Sequence, residues 1–412
     1  MGDARGPDIE PAGENGKPLP LAGIRVVDFS MMVSGPLAGQ MLGDLGAEVI
    51  KVEPPGGDPL RFVRPFHKGV GSFFLHTNRH KRSIELNMKA DEGRQLALKL
   101  VNTADVVLEN FRPGVMERLG LGYETLKKSN PGLIYAAISG FGQSGPYVSR
   151  PAYDHVIQGM TGAMLVPGYG DVPTPIHNVI VDKAASMATV NGILAALLGR
   201  LNGDGEGQRV DISLLNSFAA FGLPEMMANV TFLEPGSDKR DPVGIYHPVK
   251  TKDGWVIGHV QTDNQFRAAC KIFNREDLIG DPRFTTMRDR ARAIDKMWAE
   301  FAVNATEIET DELVSAAEEA SLPLGPINTV EDFIADPQAE HNKAHFIFDD
   351  PQIGPVRLLT HPAKLSETPA RVAARAPILG EHSPEIAAAV GVDDAQFRKL
   401  VEAGVIGSTD AP

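Results

Sequence analysis

The 412-residue chain is 42% hydrophobic and 23% charged, a globular balance with room for about two or three domains. Its net charge of −13 argues against nucleic-acid binding, and no apolar run in it approaches the ~18 residues that a membrane span requires. The single cysteine, Cys270, rules out an internal disulfide and a Cys-cluster metal site, so a cytoplasmic enzyme or binding protein with no membrane partner is expected.

Residues 1–19 are polar, rich in Gly and Pro, and lack the apolar centre of a signal peptide; they read as a flexible tail. "GIRVVDF" (23–29) reads as a buried strand, and "SGPLAGQMLGDLGA" (34–47) as a helix with Pro36 in its first turn. "EVIKVEPP" is a second strand, stopped by Pro54 and Pro55. Such a βαβ unit implies a parallel pair with a right-handed crossover. The alternation continues: "DEGRQLALKLVNTA" helical, "DVVLENF" strand, "GVMERLGLGYETLKKSN" helical, "GLIYAAISGFG" strand. It predicts a doubly wound α/β domain. A helix follows from Lys183 to about Arg200, then the strand "GQRVDISLL" and a helix over "NSFAAFGLPEMMANV".

Composition then changes. "YHPVKTKDGWVIGHV" places a Lys-Asp-Gly turn between β-prone runs, a hairpin signal. "NQFRAACKIFN", "MRDRARAIDKMWAEFAVNA" and "DELVSAAEEASL" read as helices. The expected division is a large domain over 20–224, completed by 340–412, and a small α+β domain with linkers over 225–339. The helical C-terminus "EIAAAVGVDDAQFRKLVEAGVI" is expected to return to the first domain.

Several stretches invite functional readings. Glu53 ends the second strand where a ribose-binding acid would sit, but "SMMVSGPLAG" is not G-x-G-x-x-G. Gly35, Gly39, Gly43 and Gly46 recur at helical spacing instead, which suits close helix–sheet contact and disfavours a nicotinamide enzyme. "TNRHKRSIELNMK" (77–89) gathers Arg79, His80, Lys81, Arg82 and Lys89, either a phosphate site or a solvated face. "ENFRPGVMERLG" places Asn110, Phe111, Arg112 and Arg118 beyond a strand end, where ligands of open α/β sheets sit. Arg150, Tyr153, Asp154 and His155 lie close together in the chain. An Asp-His pair suits acid–base work, yet neighbours point in different directions, and Asp154 could equally accept structural hydrogen bonds. No G-x-S-x-G or H-E-x-x-H is present. Finally, Asp182 in "PIHNVIVDKAASMATVNGILAALLGR" stands before a long helical pattern. It reads as an N-cap or as the centre of the chemistry. The two are compatible, because a helix N-terminus stabilises an anion and an oriented carboxylate can attack an acyl group.

Taken in order, these stretches resemble family III CoA-transferases, which include formyl-CoA transferase, carnitine crotonobetainyl-CoA transferase and the α-methylacyl-CoA racemases. "GDLGAEVIKVEPPGGDPLR", "NRHKRSIELNMK", "ENFRPGVMERLGLGYE", "ISGFGQSGPY", "KDGWV", "DPRF" and "PLGPINTVEDFIADPQ" carry the likeness along nearly the whole chain. The resemblance implies a Rossmann-like large domain, a small domain and an interlocked homodimer. It assigns Asp182 to the family's catalytic aspartate. CoA-contacting positions would fall on Val33, Ser34, Leu86 through Lys89, Asn110, Phe111, Arg112 and Arg118. Where some members have an arginine after the second strand, this chain has Pro54, leaving Arg61 or Lys81 as the alternative phosphate contacts. Val33 replaces a glutamine of formyl-CoA transferase, and that enzyme's glycine-rich small-domain loop is absent around 246–253, so oxalate is not the expected acceptor. The racemases' Gly-His-Asp triplet is Ala152-Tyr153-Asp154 here, with His155 two positions past the histidine position. That favours CoA transfer, with acyl-CoA and a small carboxylic acid as partners and no permanently bound cofactor or metal. A 2-methylacyl-CoA racemase and a non-catalytic acyl-CoA binder are the alternatives.

Overall fold

The structure, a computed structural model, describes residues 17–165, 172–236, 247–370 and 374–407. Most of the expected N-terminal tail lies outside them. The described chain divides into two units, one comprising the residues up to Ala163, Pro175–Glu225 and those from His341 on, the other Met164–Thr174 and Met226–Glu340.

In the first unit β1 (Arg25–Asp28) is followed by α1 (Ser34–Asp44), β2 (Glu48–Glu53), β3 (Lys81–Leu86), α2 (Asp91–Val101) and β4 (Val106–Glu109). Then come β5 (Ile134–Ser139), α3 (Asp154–Met160), α4 (Ile180–Asn202), β6 (Arg209–Ser213) and α5 (Leu214–Gly222), and near the C-terminus β7 (Ile406–Gly407). The strands form one sheet in the order β7-β3-β2-β1-β4-β5-β6. All pairs are parallel except β7 on β3, where Ile406 opposes Leu86. The expected α/β class with a parallel-dominated sheet is present, and the first six strands follow the order of doubly wound folds.

Alternation along each strand sends neighbours to opposite faces. Val27, Val107 and Tyr135 enter an apolar cluster with Leu96, Ile386 and Ile406, whereas Val26, Leu108 and Ile134 enter another with Leu42, Val181 and Ile193. The C-terminal helices Ser383–Ala389 and Asp394–Glu402 pack on the first of these clusters.

Some local expectations are corrected. Residues 81–86 of the basic run at 77–89 form β3, and its Arg79 and Lys81 are buried rather than on a solvated face. "GVMERLGLGYETLKKSN" makes two short helices, Val115–Arg118 and Tyr123–Ser129, parted at Gly120 with φ +74, a conformation glycine adopts freely. The helix after β6 stops at Gly222, ahead of Pro224, which disfavours helix in the residue before it. α4 begins at Ile180, three residues earlier than expected. By length and composition α4 could cross a membrane, but it packs against α1, α3, α5, β5 and β6 as a core helix.

In the second unit the Lys-Asp-Gly turn joins Val249–Lys250 to Trp255–Gly258, and Leu324–Pro326 completes a three-stranded antiparallel sheet. Helices Asp263–Ile272, Ile294–Ala305 and Thr310–Glu319 surround Phe266, Phe273, Trp298 and Phe301, with Cys270 buried among them.

Candidate active site

The carboxyl ends of β1 and β4 meet the first turns of α1 and α4. Asn110, just past β4, clamps the β1–α1 loop from both sides: its Oδ1 accepts from Met31 N at 2.9 Å and its Nδ2 donates to Met31 O at 2.7 Å. Nδ2 also reaches Ser34 Oγ at 3.3 Å, and the Ser34 hydroxyl favours the ionised form of the Asp182 carboxyl. Ser186, one turn along α4, donates both to Ser34 O at 2.7 Å and to Asp182 O at 2.8 Å. Asp182, Ser34 and Asn110 are therefore brought together by the two helices and the strand end.

Asp182 is not the helix cap. Val179 occupies the cap position without a side-chain bond, and Asp182 is the third residue of α4. The cap comes from α3: Asp154 Oδ2 accepts from Val181 N at 2.7 Å and from Asp182 N at 3.3 Å. This overturns the expectation that the helix end keeps Asp182 readily ionised. Burial, and secondarily the charge of Asp154, push its carboxyl up to about 6, against the lowering effect of the Ser34 hydrogen bond.

The loop that carries Ser34 rests on buried charge. Lys81 Nζ, from β3, donates to Asp28 Oδ2, Pro36 O and Asn78 Oδ1 at 2.8, 2.8 and 2.9 Å. Lys51 Nζ, from β2, donates to Ser30 O at 2.9 Å and to Asp58 Oδ2 at 3.0 Å, and Asp58 accepts in turn from Met32 N at 3.1 Å. Burial opposes ionisation of Asp28, yet Lys81 and Lys51 hold it below its ordinary range. The glycine spacing of α1 now has its reason. A Cβ on Gly39 would lie 2.9 Å from Asp28 Oδ2 and 3.2 Å from Lys81 Nζ.

The remaining predicted positions divide. Val33 is buried at the start of α1, and the Leu86 side chain belongs to the core. Phe111, partly buried, donates its N–H to Glu109 at 2.8 Å. Lys89, Arg112 and Arg118 are exposed beyond β3 and β4. Arg61 and Lys81, the alternative phosphate contacts, bind within the chain: Arg61 bonds Glu53 at 2.6 and 2.8 Å and Pro377 O at 2.9 Å, and Lys81 the partners above. Tyr153 is 64% exposed and stacks on the exposed His155, while Arg150 lies over Tyr147. Of that group only Asp154 reaches Asp182. Sequence reasoning missed Ser186, and it missed Gln158, which lies one turn from Asp154 on the buried face of α3. The i, i+4 spacing of an acid and an amide was the available signal.

Fold and site define an open α/β sheet protein with a perturbed carboxylate at the carboxyl edge of its strands. Residues 21–383 match CoA-transferase family III. Succinate–glutarate CoA-transferase of Agrobacterium fabrum is 36% identical, over 91% of this chain and 96% of its own. Succinyl-CoA–D-citramalate CoA-transferase of Chloroflexus aurantiacus is 35% identical, over 90% and 93%. The crystal structure of a CAIB/BAIF family protein from Brucella suis superposes with a TM-score of 0.80 at 35% identity, covering 90% of this chain and 99% of that one. The chain belongs to CoA-transferase family III and is a CoA-transferase.

Proposed function

We propose that the protein moves CoA from an acyl-CoA donor to a carboxylic acid, with Asp182 as the covalent nucleophile. The observation that carries this is the largely buried Asp182 carboxylate in the first turn of α4, where Ser186 Oγ bridges Asp182 O and Ser34 O at the carboxyl edge of the sheet. A carboxylate oxygen attacks the thioester carbonyl, the C–S bond breaks, and CoA thiolate leaves a mixed anhydride. The thiolate then attacks the aspartyl carbonyl, giving an aspartyl-CoA thioester and releasing the donor acid. The acceptor carboxylate attacks that thioester, and the expelled thiolate takes its acyl group, restoring Asp182. Every step conserves one activated acyl bond, so the sequence needs neither ATP nor metal. Because water would hydrolyse the anhydride, the site must exclude it.

Lys89, Arg112 and Arg118, exposed cations beyond β3 and β4, are the proposed partners of the CoA phosphates. Dicarboxylates are the proposed acceptors and succinyl-CoA the first donor to try, supported by the names of the two relatives. An interlocked homodimer in the cytoplasm is part of the proposal. The test incubates acyl-CoAs with carboxylic acids and reads by mass spectrometry which acids gain CoA. Asp182→Ala is expected to lose at least ~10³-fold in turnover, and full transfer by that variant overturns the mechanism. Solvent deuterium appearing at the α-carbon of a 2-methylacyl-CoA, with no acceptor present, would point to racemisation instead.

A further inference from the structure

Two buried residues of α3, Asp154 and Gln158, hold the chain that leads into α4. Gln158 Oε1 accepts from Ile176 N at 2.9 Å, and its Nε2 donates to Ile176 O and Asn178 O, both at 3.2 Å. The same Nε2 donates to Asp154 Oδ1 at 2.5 Å, leaving Asp154 Oδ2 for the amides of Val181 and Asp182. The first turn of α4 is thus capped by a carboxylate from another helix.

We propose that Asp154 is a positioning residue for Asp182: it fixes the first turn of α4 and withholds that turn's amides from the Asp182 carboxylate. The proposal deepens the reading of Asp182 as nucleophile and rests on it. Two carboxylates share one helix end, and only one of them receives the helix donors. Asp154 takes the amides of Val181 and Asp182, so these two do not bind the Asp182 anion. An anion without those two bonds is a stronger nucleophile than one bound to backbone amides. When Asp182 becomes an anhydride or thioester it loses its charge, and the repulsion from Asp154 ends. The helix end stays neutralised throughout, because Asp154 never leaves it. Asp154 therefore raises the free anion relative to the acylated forms.

Among the described residues, the surroundings leave Asp154 as the charge that acts on Asp182. On α4 itself, Lys183 is bound to Asn178 Oδ1 at 2.8 Å. On α3, His155 is exposed and stacked on Tyr153. α1 presents Ser34, while its Asp44 is paired with Arg79 at 2.5 Å. α5 carries no titratable side chain. Tyr135 of β5 and Arg209 and Asp211 of β6 interact with one another and with Glu117. The upward displacement of the Asp182 carboxyl has Asp154 as its second cause after burial.

Asp154→Asn keeps an acceptor for Val181 N and removes the charge. The expected result is an acid limb of kcat/KM moved down by about one pH unit, with turnover at high pH reduced about fivefold, because a less basic carboxylate is a weaker nucleophile. Carboxyl-labelled aspartate read by NMR follows Asp182 without substrate, its signal assigned by its loss in Asp182→Asn. The Asp182 midpoint should fall by the same amount in Asp154→Asn. An unchanged midpoint overturns the proposal. So does a variant that no longer folds, since Asp154 would then serve the fold rather than the nucleophile. If Asp182→Ala keeps its activity, the nucleophile reading fails, while the NMR midpoint still reports what Asp154 does.

Discussion

Asp182 is under two opposing influences. Burial and Asp154 favour its protonated form, and Ser34 favours the anion. With the carboxyl raised to about 6, the anion that the proposed mechanism requires is present above that pH and is lost as pH falls through it. The pH profile of kcat/KM should therefore rise to a plateau with its midpoint near that value, well above the ordinary carboxylate range. Ser34→Ala removes a hydrogen bond to the charged form and should move the midpoint up by about one pH unit, as such a bond is worth roughly 1.5 kcal/mol or more. A midpoint that stays put in Ser34→Ala would mean that the hydroxyl does not bear on the nucleophile. For stability the sign is reversed. A carboxyl raised in the fold holds its proton longer than in the unfolded chain, so its contribution weakens as pH rises from the ordinary value through about 6.

At the scale of elements, the site depends on a loop, and the loop depends on Asn110. Truncation to Asn110→Ala leaves Met31 N and O without their partners. It should cost about 2 kcal/mol in a denaturant melt and raise KM for acyl-CoA as the α1 turn loosens. If KM does not change, the clamp serves the fold alone. Much of the βαβ frame was legible, because β1, α1, β2, β4 and β5 show clean apolar runs between turn signals. β3 was not, since its Lys81 and Arg82 read as surface. Lys81 is buried because its partner Asp28 comes from β1, 53 positions away, and spacing cannot show such a pairing. The same limit applies to α4. Asp182 stood out as the acid before a long helix, so it looked like the cap. The real cap, Asp154, lies 28 positions earlier and leaves no local signature.

For the whole molecule, a net charge of −13 opposes a polyanionic substrate, so capture falls to local cations. Lys89, Arg112 and Arg118 are exposed and free of ion pairs among the described residues. Each unit, taken by itself, also exposes apolar side chains. In the first, Leu198 and Leu201 of α4 and Phe221 of α5 are 58%, 80% and 56% exposed, and in the second Leu233 is 92% exposed. Exposed apolar surface on this scale suits an interface between copies. Sedimentation should accordingly report a dimer at micromolar concentration, weakened by Leu201→Asp, and a stable wild-type monomer would contradict the homodimer.

The ion pairs beneath the β1–α1 loop have a thermal consequence. Lys51, Lys81, Asp28 and Asp58 have no solvent-accessible side-chain surface, so their cost is largely the loss of hydration. That cost falls on heating, whereas the stabilisation from apolar contact levels off. As the protein warms, the floor under Ser34 should hold up better than the apolar clusters around it, so the setting of Asp182 should be among the last regions to soften.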